Sequence, residues 1–288
     1  MSQPPVPLRL DAVAPLRTAT AGWRARGERI VLVPTMGALH AGHLALMAHA
    51  RTIGDRVVAS IFVNPTQFGP TEDFSRYPRN VEADLALLAG AGVDAAYLPG
   101  VETMYPPGFS TRIEVADLTE GLCGAFRPGH FTGVATVVAK LVNQVGPDVA
   151  LFGEKDYQQL RVITRAMRDL DVPVEIRGVP TLREADGLAL SSRNRYLTPQ
   201  ERAVAPRLNA VLSRIAGALS AGEPATGPVA EGIADLEAAG FAPVQYLAVC
   251  DADTLAPVER VVRPARVLAA AYLGRTRLID NVPVAPGT

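Results

Sequence analysis

PTMGALHAGH, residues 34 to 43, separates the apolar run Ile30 to Val33 from a periodic segment that opens His43-Leu44-Ala45-Leu46-Met47. A short β-branched run, a glycine-containing turn and a helical pattern make a strand–turn–helix unit. Gly37 and Gly42 allow tight backbone turns. The helix that follows presents free N–H groups and a positive dipole end, which suit a phosphate. The chain has only four histidines, and two of them, His40 and His43, fall in this turn. With His43 in the first helical turn and His40 just before it, both imidazoles can point at one anion. Imidazole donates a hydrogen bond when neutral and can carry a proton near pH 7.

Other readings of the turn compete. A metal site needs a third ligand, and spacing does not place His49 or His130 near the pair. A P-loop needs lysine where His43 follows Gly42, and the dinucleotide fingerprint GxGxxG is missing. A polar turn with two incidental histidines is the plain alternative.

Working outward, the first two-thirds of the chain alternate. Strand-like runs at Ile30–Val33, Val57–Val63, Ala95–Leu98, Val149–Phe152 and Val174–Val179 are separated by helical patterns at His43–Arg51, Val81–Leu88, Thr132–Val145 and Gln158–Leu170. Such alternation predicts an α/β fold, a parallel sheet covered by helices on both faces. Open parallel sheets bind ligands at the carboxyl ends of their strands, so the loops after Val33, Val63 and Phe152 are the ones to inspect.

From Thr198 the pattern changes. TPQERAVAPRLNAVLSRIAGALSAG reads as one long helix, with Thr198 as N-cap, Pro199 in the first turn and Glu201 at the capping-box position. A second helix over Ala230–Ala239 and strands at Val244–Val249, Ala265–Tyr272 and Arg277–Ile279 make a smaller α+β domain. The boundary is set near Pro180, giving domains 1–180 and 181–288.

Four further stretches carry polar groups at the expected loop positions. In VNPTQFGPTEDFSRYPR, residues 63 to 79, Asn64 and Gln67 offer neutral amides suited to a small polyol or carboxylate. In LFGEKDYQQLR, residues 151 to 161, Lys155 can bind phosphate as a point charge, and Asp156 and Gln159 share a helix face. In LREADGLALSSRNRYL, residues 182 to 197, Ser191, Ser192, Arg193 and Asn194 form a run of phosphate donors near the domain boundary. In FRPGHFTGV, residues 126 to 134, Arg127 and His130 precede a helix and suggest a mobile loop over the site. Taken singly, each stretch is also compatible with an ordinary turn, linker or helix start.

Composition excludes other classes. With 28 basic and 29 acidic residues the chain has no electrostatic reason to bind nucleic acid or an acidic membrane. Cys123 and Cys250 make no CxxC pair, which argues against a disulfide framework or a thiolate zinc site. The opening residues lack a charged-then-apolar signal pattern, and the apolar region from Val134 to Phe152 is interrupted by Lys140, Asn143, Gln144 and Asp148. A cytoplasmic enzyme is expected.

PTMGALHAGH, GEKD and LSSRN in that order, with NPTQF, YPR, RPGHF and GEKDYQQ, closely resemble the pantothenate synthetase (pantoate–β-alanine ligase) family. The resemblance runs from about Val33 to Tyr196 and in outline beyond. It implies a Rossmann-like N-terminal domain with the active site, a C-terminal lid, and a homodimer formed mainly through the N-terminal domain. It implies Mg·ATP-dependent joining of pantoate and β-alanine through pantoyl adenylate, releasing pyrophosphate and then AMP. Carried over, Met36, Gly37, Ala38, Leu39, His40, Ala41, Gly42 and His43 would hold ATP, with His43 the usual proton donor. Gly153, Glu154, Lys155 and Asp156 would also contact ATP, as would Leu182 by its backbone. Leu190, Ser191, Ser192 and Arg193 would close on the phosphates. Gln67 and Gln159 would bind pantoate, with Gln67 bordering the β-alanine site. Many members carry methionine at the position of Leu190, a swap of similar volume. The Mg²⁺ ligands are not identified; Asp84 is a candidate. A tRNA-charging synthetase fragment and a non-catalytic nucleotide sensor are the rival readings. The first lacks a basic RNA-binding module, and the second leaves Asn64, Gln67 and Gln159 without a ligand.

Overall fold

The computed structural model describes residues 6–70, 72 and 74–287. Six strands form one parallel sheet: β1 (Leu8–Leu10), β2 (Ile30–Thr35), β3 (Arg56–Ile61), β4 (Ala95–Tyr97), β5 (Val149–Gly153) and β6 (Glu175–Val179). Their order is β1-β4-β3-β2-β5-β6. The chain therefore walks outward from β2 through β3 to β4, then returns to the far side of β2 for β5. The switch point lies between β2 and β5, where the crevice of such sheets opens.

Helices cover both faces, as the buried strands require. They are α1 (Val13–Arg24), α2 (Ala41–Ile53), α3 (Val81–Gly90), α4 (Val101–Met104), α5 (Cys123–Phe126), α6 (His130–Val145) and α7 (Tyr157–Asp169). Successive strand residues point to opposite faces. Val31 and Val33 join a core with Met47 and Leu88 from α2 and α3. Ile30 and Leu32 join the other core, with Leu16, Trp23, Val138 and Ile163 from α1, α6 and α7.

The sequence pattern missed β1 and α1. β1 is only three residues long and mostly exposed, and α1 has no side-chain N-cap bond and carries Pro15 in its first turn. The long helix expected from Thr198 is two helices, α8 (Pro199–Val204) and α9 (Arg207–Ser220). Pro206 has no N–H and cannot continue α8, although the Thr198–Glu201 capping box forms as read. α9 and α10 (Thr226–Ala238) pack on an antiparallel sheet of β7 (Phe241–Asp251), β8 (Ala265–Leu273) and β9 (Thr276–Val284).

Two joints hold this sheet, one to the hairpin after β6 and one to the turn after β5. Arg183, in the hairpin that leaves β6, grips the buried Asp280 of β9 with Nη1 and Nη2, at 2.7 and 2.9 Å. Asn281 donates from Nδ2 to the backbone oxygens of Glu154 and Lys155, and Arg266 of β8 pairs with Glu154 at 2.6 Å. Removing the guanidinium of Arg183 leaves a carboxylate that is 3% exposed without its cation. Arg183→Ala is expected to lower unfolding stability by about 3 kcal/mol, read as a shift of the urea midpoint. An unshifted midpoint would show that the pair adds nothing to the joint.

Candidate functional site

At Thr35 the second strand runs out and the chain turns sharply. Gly37 has φ +78° and Ala38 φ +52°, both left-handed. A Cβ at Gly37 would stand 2.8 Å from Asp84 Oδ2, so glycine is required there. Asp84, buried in the first turn of α3, holds the bend: Ala38 N–H donates to Oδ2 at 2.9 Å and Leu39 N–H to Oδ1 at 2.8 Å. Both oxygens of this candidate metal ligand are bound to backbone beneath the turn, which corrects that reading.

The turn sets the start of α2, and there the two histidines form a reciprocal cap. Gly42 N–H donates to His40 Nδ1 at 3.1 Å, and His40 N–H donates to His43 Nδ1 at 3.3 Å. The ring centroids are 4.1 Å apart. Because each Nδ1 accepts, each ring carries its proton on Nε2 and donates from there. Burial, then the charge of Lys155, pushes His40 down to about 4. Burial, then His40 and Lys155, pushes His43 down to about 3. Both rings are therefore held neutral at pH 7 and offer their Nε2–H groups to the crevice.

A crevice of about 230 Å³ opens on this cap. Met36, His40, Gly42 and His43 line one side, Gly153, Lys155, Asp156 and Gln159 another, and Leu182, Leu190, Ser191, Ser192 and Arg193 a third. Gln67 reaches it too, donating from Nε2 to Met36 Sδ at 3.0 Å. Gly37, Ala38 and Leu39 are buried below and Ala41 faces outward, so these four shape the turn without lining the crevice. The Leu182–Leu190 hairpin is closed by Leu190 N–H on Leu182 O at 3.0 Å. It presents the Ser191–Arg193 turn, in which Arg193 N–H bonds Ser191 Oγ. Asp156, half-exposed to the cleft, is pulled up by burial, but Lys155 and Arg193 outweigh that and hold it below the usual carboxylate value.

Two of the expected ligand residues have side chains bonded within the protein. Asn64 is 1% exposed; its Nδ2 donates to Gln67 Oε1 and Gly133 O, and its Oδ1 accepts from Thr66 and from Tyr105 Oη. Its amide is engaged within the protein and holds the Gln67 side chain in place. The Glu154 side chain turns away to Arg266 and lines neither cavity. The RPGHF stretch is likewise no free flap. Arg127 makes two 2.6 Å bonds to Glu72, and His130 donates from Nδ1 to Gln67 O at 2.8 Å while its Nε2 faces Arg127. The sequence showed the residue types here but not their partners, and gave no sign of Tyr105. A Cβ on Gly133 would meet Thr66 O at 2.4 Å, so α6 can approach this turn only through a glycine.

A parallel sheet whose switch-point crevice is walled by an anion-receptive helix start, a lysine and an arginine defines a nucleotide-using α/β enzyme. The family model described as pantoate-beta-alanine ligase matches residues 9–283. A pantothenate synthetase of Paramagnetospirillum magneticum is 58% identical over 275 residues, 96% of this chain and 97% of the relative. That of Acidiphilium cryptum is 59% identical over 273 residues, 94% and 98% of the two chains. The crystal structure of a pantothenate synthetase from Thermus thermophilus matches with TM-score 0.91 at 50% identity, over 97% of this chain and 100% of that one. A pantoate-beta-alanine ligase from Francisella tularensis, complexed with beta-gamma ATP and beta-alanine, matches with TM-score 0.81 at 33% identity, over 96% and 97%. This chain belongs to the pantoate–β-alanine ligase family.

Two outcomes follow from the cap. His40 and His43 are depressed below the ordinary 6.5, so below that pH the unfolded chain binds protons that the folded one refuses. Their contribution to stability is complete above about pH 6.5 and falls away as pH drops toward 4 and then 3. ¹⁵N spectra of labelled histidine should show both rings neutral and Nε2-protonated at pH 6 to 8; a ring of this pair titrating near 6.5 would refute the assignment. Asp84→Asn sets an amide donor against a backbone N–H, costing about 2 kcal/mol of stability. Calorimetric ATP affinity should fall with it, and unchanged affinity would detach Asp84 from the site.

Proposed function

We infer that this chain condenses pantoate with β-alanine at the expense of ATP, through a pantoyl-adenylate intermediate, forming pantothenate, AMP and pyrophosphate. The full-length match to pantothenate synthetases carries the reaction. The neutral two-histidine cap beside Lys155 supports the adenylate step.

ATP lies in the switch-point crevice, its phosphates against the Nε2–H groups of His40 and His43, Lys155 and the Ser191–Arg193 turn. Pantoate sits between Gln67 and Gln159. Its carboxylate attacks the α-phosphorus, pyrophosphate leaves, and the β-alanine amine then attacks the acyl carbon and displaces AMP. A carboxylate is a poor acyl donor at neutral pH, which is why activation comes first. The crevice works by positioning, and by donors aimed at the charge that grows on the phosphorus oxygens. Neutral imidazoles suit that role, because they donate without requiring a counter-ion.

Mg²⁺ belongs to the same reading. Among the described residues lining the crevice Asp156 is the one carboxylate, so the ion would be held by Asp156 and mainly by the triphosphate's own oxygens. It would neutralise phosphate charge. A homodimer through the N-terminal domain is part of the proposal, supported by the apolar side chains Leu8, Leu87 and Val101 left exposed there. So is a cytoplasmic setting; among the described residues no helix is long and apolar enough to cross a membrane.

The decisive assay measures AMP release with pantoate, β-alanine and Mg²⁺ each omitted in turn, alongside ATP–pyrophosphate exchange. Full turnover is expected to need all three, and exchange to need pantoate and Mg²⁺ but no β-alanine. Exchange that demands β-alanine would exclude a free-standing adenylate.

A further inference from the structure

β9 carries a buried polar pair, Asp280 and Asn281, near its end. Ile279 packs against the core that contains Ile30 and Leu32 of the parallel sheet, and Asn281, two residues on, faces the same way. Asn281 is 3% exposed. A buried amide is costly unless its polar atoms find partners, and in Asn281 each one does. Its N–H donates to Asp280 Oδ1 at 2.7 Å, and its backbone oxygen accepts from Arg183 Nη2 at 3.2 Å. Its Oδ1 accepts from Arg266 Nη1, and its Nδ2 donates to the backbone oxygens of Glu154 and Lys155 at 2.8 and 3.0 Å. Arginine can only donate, so the amide has one orientation: Nδ2 faces the two carbonyls.

Arg266 closes the ring. Its Nη2 holds Glu154 Oε2 at 2.6 Å, and its guanidinium lies over the Tyr157 ring. One arginine thus fixes the amide on one side and the turn on the other. That turn, Glu154–Asp156, joins the end of β5 to the start of α7. Its middle residue is Lys155, which lines both the crevice and a larger cavity of about 620 Å³ beside it. A lysine is a point charge on a flexible four-carbon stem, so its reach is decided at its root. Here the root is the peptide whose carbonyl Asn281 holds. Asn281 itself does not line the crevice, and its polar atoms are all engaged within the protein. An apolar side chain would serve packing alone as well; a fully engaged amide specifies one geometry.

We propose that Asn281 is a positioning residue for the adenylation step and acts through Lys155. Its carboxamide sets the turn from which the Lys155 ammonium reaches the phosphates of the bound nucleotide. This rests on the ligase reading above. Asn281→Asp isolates the role. It is nearly isosteric, keeps an oxygen for Arg266, and sets a carboxylate oxygen where the two carbonyls meet a donor.

The test is a double-mutant cycle with Lys155→Met. It is read in pantoate-dependent ATP–pyrophosphate exchange and in calorimetric affinity for α,β-methylene-ATP. With Lys155 present, Asn281→Asp is expected to lower the exchange kcat by about 30-fold and the analogue affinity by about 10-fold, the scale of a misplaced catalytic group. The KM for pantoate should stay within about 2-fold, because only the phosphate end is disturbed. In Lys155→Met the same change should alter kcat and affinity by less than about 2-fold, since the group it acts through is gone. Asn281→Ser removes the amide without adding charge; it should lose about 10-fold in kcat, and it serves where the aspartate variant does not fold. Equal losses with and without Lys155 would show that Asn281 acts on the fold at large and would overturn the proposal. So would unchanged exchange and affinity in both variants, or a loss confined to the KM for pantoate. Wild-type protein that binds the analogue but shows no exchange removes the ligase reading, and the affinity cycle then still decides whether Asn281 acts through Lys155.

Discussion

The site hangs on one carboxylate and two backbone amides. A left-handed Ala38 costs on the order of 1–2 kcal/mol, and nothing within residues 34 to 43 offsets it. Asp84 does, from α3, by accepting from Ala38 and Leu39 at 2.9 and 2.8 Å. Hydrogen bonds to a charged group contribute roughly 1.5–3 kcal/mol each, enough to outweigh the strain. The same contact fixes where α2 begins relative to β2. Only with that start in place do Gly42 N–H and His40 N–H meet the two imidazoles. Fold and chemistry are thus joined at a residue that never touches the crevice.

The histidine pair shows what such a start can do. An exposed histidine at a helix N-terminus would be a proton carrier near neutral pH. Here the backbone occupies both Nδ1 atoms and burial disfavours the cations, so the rings serve as fixed N–H donors. They add donor density next to Lys155 without adding charge that Asp156 would have to balance. An anion entering the crevice meets oriented dipoles already held in place, with little reorganisation left to occur.

What could be read from the sequence were the features that residues declare locally. Buried apolar runs announced the parallel sheet, and the strand ends after Val33 and Phe152 proved to flank the switch point. Histidines, Lys155 and the SSR run converged on the crevice because each follows a strand end or the hairpin beside one. What stayed hidden was the choice of partner. Asn64, Glu154 and Asp84 have the chemistry of ligands, yet Tyr105, Arg266 and the Ala38 amide claim them from 41, 112 and 46 residues away. Local pattern carries no record of such distances. The break at Pro206 was different: the signal was printed in the chain, and helical periodicity on either side outweighed it in the reading.

The second domain is more than a cover. Asn281 donates to the backbone oxygens of Glu154 and Lys155, so β9 helps to shape the turn that carries Lys155 into the crevice. Arg266 lies over the Tyr157 ring, 3.9 Å from its centroid, while the Tyr157 hydroxyl donates to Ala252 O. Cys123 meets both Tyr246 and Arg277 across the same interface. A rotation of the whole domain must pivot about these bonds or break them. The bonds that hold β9 to the first sheet are thus the same bonds that shape the turn carrying Lys155, so the seating of the second domain and the geometry of the crevice are set together.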